Sequence, residues 1–473
     1  MPLRLNDLNR NVVDAQYAVR GALALRAEQL REQLHKDPGS LPFKYVINAN
    51  IGNPQQLDQA PITFYRQVLS LVQYPKLIES PPSYIKPDAV RRAKFLLDHI
   101  GSVGAYSASN GVDVIRESVA RFIEERDGYP ADPDCIYLTA GASTGVANLI
   151  RLVARPGNGV LIPIPQYPLY SASLSLEGAV AIHYHLSEKD NWTLHHDYLE
   201  RRINEAAAEG IKPTMLCVIN PGNPTGSVMP DEDIENILKI AHEHDLVVLA
   251  DEVYQANIFE GKFHSFKKIR QRLVSQDPKY NSIQLASVHS TSKGYIGECG
   301  QRGGYLELVG FHQDVLDQIY KMASISLCPV VSGQVLTELM VNPPKEGDES
   351  FDEFTKETSH IRETLRERAQ HLYEAFKGVE GVSCYPPQGA MYLYPFITLP
   401  ARAVEEAAKR GMQPDEMYCM DLLNETGICV IPGSGFGQEK DTFHFRTTFL
   451  APGGDIISDQ FVAFHKRFIE KWH

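Results

Sequence analysis

Between about Pro61 and Ser332 the chain alternates helix-patterned stretches with short runs that are apolar almost throughout: Cys135–Thr139, Gly159–Ile164, Met215–Ile219, Leu246–Ala250 and Ile283–Val288. A strand with one wet face alternates apolar and polar residues, so unbroken runs predict strands buried on both faces. Helical stretches separate most of them, which predicts a mainly parallel sheet covered by helices. Upstream, Leu23, Ala27, Leu30 and Leu34 recur at helical spacing and predict an amphipathic helix that ends at KDPGSLP, Lys36–Pro42. Downstream, NPPKEGDES (Asn342–Ser350) reads as a linker. A long charged helix from about Phe351 to Phe376 follows, then strands near Ala390–Tyr394, Ile428–Ile431 and Phe443–Thr448 and a final helix, the α+β pattern of a second domain.

A chain of 473 residues exceeds one ordinary core, in keeping with two domains. Its net charge of −13 argues against a nucleic-acid partner, because that affinity comes from lysine and arginine neutralising phosphates. The cysteines at 135, 217, 299, 328, 384, 419 and 429 are scattered and never form C-x-x-C. They predict a reduced compartment, with neither a disulfide framework nor a zinc site. No apolar run approaches the ~18 residues of a membrane span, so no membrane is expected. Arg4, Arg10, Arg20 and Arg26 suggest a transit peptide, but Asp7, Asp14 and Glu28 interrupt them. The expected location is the cytoplasm, with the mitochondrial matrix as the alternative if a leader is missing.

Candidate chemistry sits where the apolar runs end. HSTSKGYIGECGQRGGY (His289–Tyr305) places Lys293 just past one run, where ligands bind in α/β sheets. Taken alone, a lysine in a Gly/Ser loop is a solvated surface residue. NPGNPTG (Asn220–Gly226) is a turn in any reading, but Asn223 can donate an amide hydrogen bond from it. Asp251, ending LVVLAD, is either a helix cap or a functional carboxylate, and Tyr254 follows three residues on. GASTG (Gly141–Gly145) opens a helix whose first amides, at Ala142, Ser143 and Thr144, form either an anion site or an ordinary capped start. QYPLY (Gln166–Tyr170) offers Tyr167 and Tyr170, each readable as packing. Arg446, inside FHFRTTFL, is rarely buried without a partner, and its fork fits a carboxylate. Other templates fail. Gly433, Gly435 and Gly437 lack the last glycine of a nucleotide fingerprint, and His242 and His244 lie two apart on a helix, which suits no metal. Ser290–Lys293 is an S-x-x-K of serine-hydrolase type, but S-D-N and K-T-G are absent.

One ligand would use these fragments together: pyridoxal 5′-phosphate. Its aldehyde condenses with a lysine, and its phosphate takes donors from Ala142, Ser143, Thr144, Ser290, Ser292 and Arg302. Its pyridine nitrogen needs a carboxylate, for which Asp251 is suited. The ring oxygen takes neutral donors from Asn223 and Tyr254, and Tyr167 supplies a plate for the ring face.

QYAVRG (Gln16–Gly21), NIGNPQQLDQAPITFYRQVL (Asn50–Leu69), GAYSASNG (Gly104–Gly111), SKGYIGECGQRGGY and RTTFLAPG (Arg446–Gly453) then carry a resemblance across nearly the whole chain. It resembles the class I, fold-type I pyridoxal-phosphate aminotransferases, and within them the alanine aminotransferases of eukaryotes. The resemblance implies an α/β large domain with a mostly parallel seven-stranded sheet sandwiched by helices, plus a smaller α+β domain. Residues 1–60 would form the N-terminal arm and first part of the small domain, 61–334 the large cofactor-binding domain, and 335–473 the rest of the small domain. It also implies an obligate homodimer in which Tyr106 reaches the partner subunit's cofactor phosphate. Lys293 would be the Schiff-base lysine and proton carrier, Arg446 would grip the substrate α-carboxylate, and Gly52 and Asn223 would line the same site. Thr144 departs from the acid or serine expected there. The implied reaction is reversible ping-pong transfer of the amino group from L-alanine to 2-oxoglutarate, giving pyruvate and L-glutamate. The alternatives are another amino-acid preference, a lyase, or a catalytically weak paralogue.

Overall fold

The computed structural model describes residues 2–17, 21–452 and 454–473; of the motifs above, Ala18–Arg20 and Gly453 lie outside the described residues. At its centre is a seven-stranded sheet. The strands are β1 (Ile136–Leu138), β2 (Asn158–Ile164), β3 (Val180–His185), β4 (Lys212–Ile219), β5 (Val247–Asp251), β6 (Leu285–Ser290) and β7 (Gly304–Val309), ordered β1-β7-β6-β5-β4-β2-β3. β7 pairs antiparallel with both neighbours and alone runs against the rest. Every residue of β1, β2 and β6 is buried, as unbroken apolar runs require.

Two strands escape the run pattern. β3 (VAIHYH) lies at the sheet edge, where exposed and buried positions alternate, and β7 (GYLELV) carries Glu307 in its middle. Glu307 is fully enclosed and meets Lys267 Nζ at 2.5 Å, from helix Phe266–Gln276. Burial pushes the Glu307 carboxyl up, and the adjacent ammonium opposes that shift.

Helix Ala22–Lys36 buries Leu23, Ala27, Leu30 and Leu34, the stripe the spacing predicts. These residues share one hydrophobic core with Leu365, Phe376, Tyr418, Phe445 and Phe464, so the start of the chain packs against its end. Ile47–Asn48 pairs in parallel with Ile428–Cys429 in the same region. The expected linker lies between helices Val331–Val341 and Phe351–Lys377. The later strands are shorter than predicted: Tyr392–Leu393, Ile428–Cys429, Ile431–Pro432 and Phe445–Thr448.

Lys267→Met alone should cost about 3–5 kcal/mol, since it strands a buried carboxylate, whereas Lys267→Met with Glu307→Leu should recover most of that. Urea unfolding of the two variants beside the parent checks it.

Candidate active site

At the C-terminal ends of β2, β4, β5 and β6 lies a cavity of about 500 Å³. Of the sequence-predicted residues, Gly52, Ala142, Ser143, Tyr167, Asn223, Asp251, Tyr254, Ser290, Ser292, Lys293, Arg302 and Arg446 all line it. Two do not. Thr144 turns away to a neighbouring pocket and its hydroxyl donates to Ala140 O at 3.3 Å. Tyr106 stands 78% exposed on the outer surface.

Lys293 follows β6, and its Nζ donates to Gly52 O at 2.7 Å. A side chain at Gly52 would collide with Tyr392 Oη and crowd Lys293 Nζ, so only glycine lets the N-terminal segment pass this close. The amide of Gly294 donates to Asn257 Oδ1 at 2.8 Å, which fixes the turn around the lysine. On one side of the cavity Arg302 holds a left-handed backbone (φ 56°) and donates to Cys299 O at 2.8 Å, Ala140 O at 3.0 Å and Ser143 Oγ at 3.3 Å. Ser290 Oγ accepts from the Ser292 amide at 3.1 Å. Gly141 (φ 81°), just before helix Ala142–Val153, leaves room for the guanidinium that any Cβ would strike. The helix N-terminus, two serines, Ser143 and Arg302 therefore face one spot, an arrangement suited to a phosphate.

On the far side Arg446 is 1% exposed. It donates to Asn223 Oδ1 at 2.9 Å and Asn50 O at 2.6 Å and lies over the Tyr392 ring at 4.0 Å. Its Nε has no hydrogen-bond partner among the described residues. Among the described residues, no carboxylate pairs with Lys293, Arg302 or Arg446. Asn223 also donates to Tyr254 Oη at 3.4 Å. Asp251, between these regions, accepts from Tyr170 Oη at 2.8 Å and from the Val253 amide at 3.3 Å. Burial pushes its carboxyl up to about 6, against the pull of Tyr170, the Val253 amide and the Lys293 charge.

Three tyrosines of the site went unassigned in the sequence. Tyr170 bonds Asp251 in place of packing alone. Tyr17 meets Tyr167 hydroxyl to hydroxyl at 2.6 Å. Tyr392 approaches Tyr254 Oη at 3.4 Å; burial raises its phenol, but the charges of Lys293 and Arg446 outweigh that and lower it. Nothing local separates Tyr392 from Tyr394 two residues on, so no sequence signal marks it. No cluster of metal-ligating side chains occurs among the described residues.

A family model described as aminotransferase class I and II matches residues 76–455. The chain is 55% identical to the Saccharomyces cerevisiae protein named alanine aminotransferase, mitochondrial, over 99% of this chain and 81% of that one. It is 50% identical to a second yeast protein, named inactive alanine aminotransferase, over 98% and 94%, and 44% identical to Arabidopsis thaliana alanine aminotransferase 2, mitochondrial, over 100% and 88%. Among solved structures, an alanine aminotransferase from Pyrococcus furiosus superposes with a TM-score of 0.76 at 24% identity, covering 97% of this chain and all of that one. At that identity the likeness concerns the fold.

Tyr170→Phe should destabilise the protein by about 1.5–3 kcal/mol at pH 8 and by much less at pH 5, because only ionised Asp251 makes the charge-assisted bond. Thermal unfolding at the two pH values checks it.

Proposed function

The chain belongs to the class I and II aminotransferases, and we propose that it uses pyridoxal 5′-phosphate to move the amino group of L-alanine to 2-oxoglutarate. One observation carries the reading. Among the described residues, the cavity holds three cationic side chains, Lys293, Arg302 and Arg446, against a single carboxylate, Asp251, with the two arginines on opposite sides. A ligand pair with a phosphate at one end and a carboxylate at the other balances that charge. When bound, pyridoxal phosphate supplies an aldehyde that takes up the amino group and a ring that accepts electrons from the substrate carbon.

The chain's own residues do the rest. Arg302, Ser143, Ser290, Ser292 and the Ala142 end of its helix hold the phosphate. Asp251 holds a proton on the ring nitrogen, and Tyr170 keeps the carboxylate ionised and aimed. Asn223 and Tyr254 would donate to the ring oxygen, and Tyr167 would cover the ring. Arg446 forks onto the substrate α-carboxylate beside Gly52. Lys293 would hold the cofactor and, as a free amine, would move the substrate α-proton, a transfer worth typically ~10²–10⁴-fold. The names of the 44–55% identical relatives support alanine as the donor. Two of them are named mitochondrial, which favours the matrix over the cytoplasm for this chain as well.

The same reading includes the two-part division at residues 1–60 with 335–473 and at 61–334, supported by the core that joins Leu23 to Phe464. It also includes a homodimer. Tyr106, Ile325 and Leu327 are all exposed apolar residues. The Gln334 amide ties the Ser107 hydroxyl at 2.9 Å and Pro329 O at 3.0 Å, which holds the two loops side by side. That pair of loops suits a two-fold interface through which Tyr106 reaches the partner's phosphate. The 50% identical relative named inactive raises a second reading, a paralogue with little turnover.

Pyruvate should form from alanine and 2-oxoglutarate with the purified holoenzyme, and Lys293→Ala should cut turnover by at least ~10²-fold while the cofactor still binds. No pyruvate from a yellow, cofactor-loaded protein would favour the inactive paralogue. Arg446→Gln should lower kcat/KM for alanine by roughly 10–100-fold, the loss of charge-assisted hydrogen bonds to a carboxylate, with cofactor absorbance unchanged.

A further inference from the structure

Behind the sheet, facing away from the cavity, lies a second set of ionisable residues that the reaction above does not use. Side chains alternate along a strand, so the neighbours of the cavity residues point there: Glu252 after Asp251, and His289 before Ser290. His289 lies opposite Tyr305 and Ser287 opposite Glu307 in the β6–β7 register, which puts these on the same face. Helix Asp113–Asp127 adds Arg126 and Asp127, and helix Phe266–Gln276 adds Lys267.

The charges there are matched in pairs. Arg126 grips Asp127 through bonds of 2.8 and 2.6 Å, and Lys267 meets Glu307 at 2.5 Å. His289 is held neutral, pushed down to about 3 by burial and then by the Arg126 charge. Glu252 is the acid left over. It is 1% exposed, and its Oε1 accepts from the Phe266 amide at 2.8 Å. That bond closes a loop of which Glu252 is the first residue and Phe266 the far end. The loop carries Tyr254 into the cavity, and its Asn257 holds the Gly294 amide beside Lys293.

We propose that Glu252 is a positioning residue that clamps this loop as an un-ionised acid, so that the clamp adds no third negative charge to a chamber whose two ion pairs are already balanced. A buried charge without a counter-ion is far costlier than a buried neutral acid. Burial pushes the Glu252 carboxyl up to about 8, with the Asp127 and Glu307 charges adding to the rise and Arg126 opposing it. The charged and titratable groups facing it are Arg126 and Asp127, Lys267, His289, and Tyr305 and Glu307; Asp251 points to the other face. That the clamp serves Lys293 rests on the transaminase reading, whereas the charge balance does not.

Thermal unfolding of the holoenzyme as a function of pH tests it. A carboxyl raised in the fold holds a proton that the unfolded chain releases near its ordinary value, so stability falls as pH climbs from about 4.5 through about 8 and then levels. Glu252→Gln keeps the acceptor and lacks this loss. Its Tm advantage over the parent should be small at pH 5, grow to about pH 8 and then stay flat, with alanine turnover at pH 7 within about twofold of the parent. Glu252→Ala, which loses the clamp, should lower turnover about tenfold and release cofactor faster. A Tm difference independent of pH, a tenfold loss of turnover in Glu252→Gln, or a Glu252→Ala enzyme equal to the parent would each overturn the proposal. Should Glu252→Gln not fold, the Tm deficit of Glu252→Ala, which also lacks the titrating group, should shrink between pH 5 and 8; a deficit independent of pH sinks the idea. If no variant or parent makes pyruvate while the Tm pattern holds, the transaminase reading fails and the clamp stands.

Discussion

Arg446 is a guanidinium only 1% exposed, and among the described residues its hydrogen-bond acceptors are neutral oxygens alone, with its Nε left over. Asn223 Oδ1 and Asn50 O take two of its donors and the Tyr392 ring lies beneath it. Those acceptors come from the turn after β4 and from the N-terminal segment, while the arginine itself is on a late strand. One guanidinium thus holds three distant stretches of chain in register, at an energetic cost that an anionic ligand would relieve.

The sheet supplies the other constraint. Parallel strands end on one side, so the ends of β2, β4, β5 and β6 and the loops after them converge and deliver Tyr167, Asn223, Asp251 and Lys293 to one cavity. The same geometry works backwards. Because neighbours on a strand point to opposite faces, a chain that aims Asp251 and Ser290 at the cavity must aim Glu252 and His289 into the layer behind it. The ion pairs of that layer, Arg126 with Asp127 and Lys267 with Glu307, answer to the architecture of the site as much as to stability. Burial governs the electrostatics on both faces, raising Asp251 on one and Glu252 on the other.

Much of this was legible in the residues. Five of the seven strands show as unbroken apolar runs, since burial on both faces leaves no room for polar positions. β3 and β7 do not, because an edge strand keeps a wet side and a buried glutamate reads as a break until its lysine is known. The helix stripe from Leu23 to Leu34 and the motifs around Lys293, Asn223, Asp251 and Arg446 were equally plain, and the resemblance they carry agrees with the family the chain belongs to.

What the linear order determines here is which residue types stand at the ends of which strands, because the period of a strand and the position of a turn are local properties. Which hydroxyl meets which carboxylate is not local. Thr144 belongs to the GASTG turn yet bonds back to Ala140 just before its helix, whereas Tyr170, two residues past Pro168, reaches Asp251 at the end of β5. Tyr392 enters the cavity only because a short strand from the far end of the chain pairs beside Arg446's own. Side-chain direction at these positions follows from packing between segments hundreds of residues apart, and that is decided by the folded structure alone.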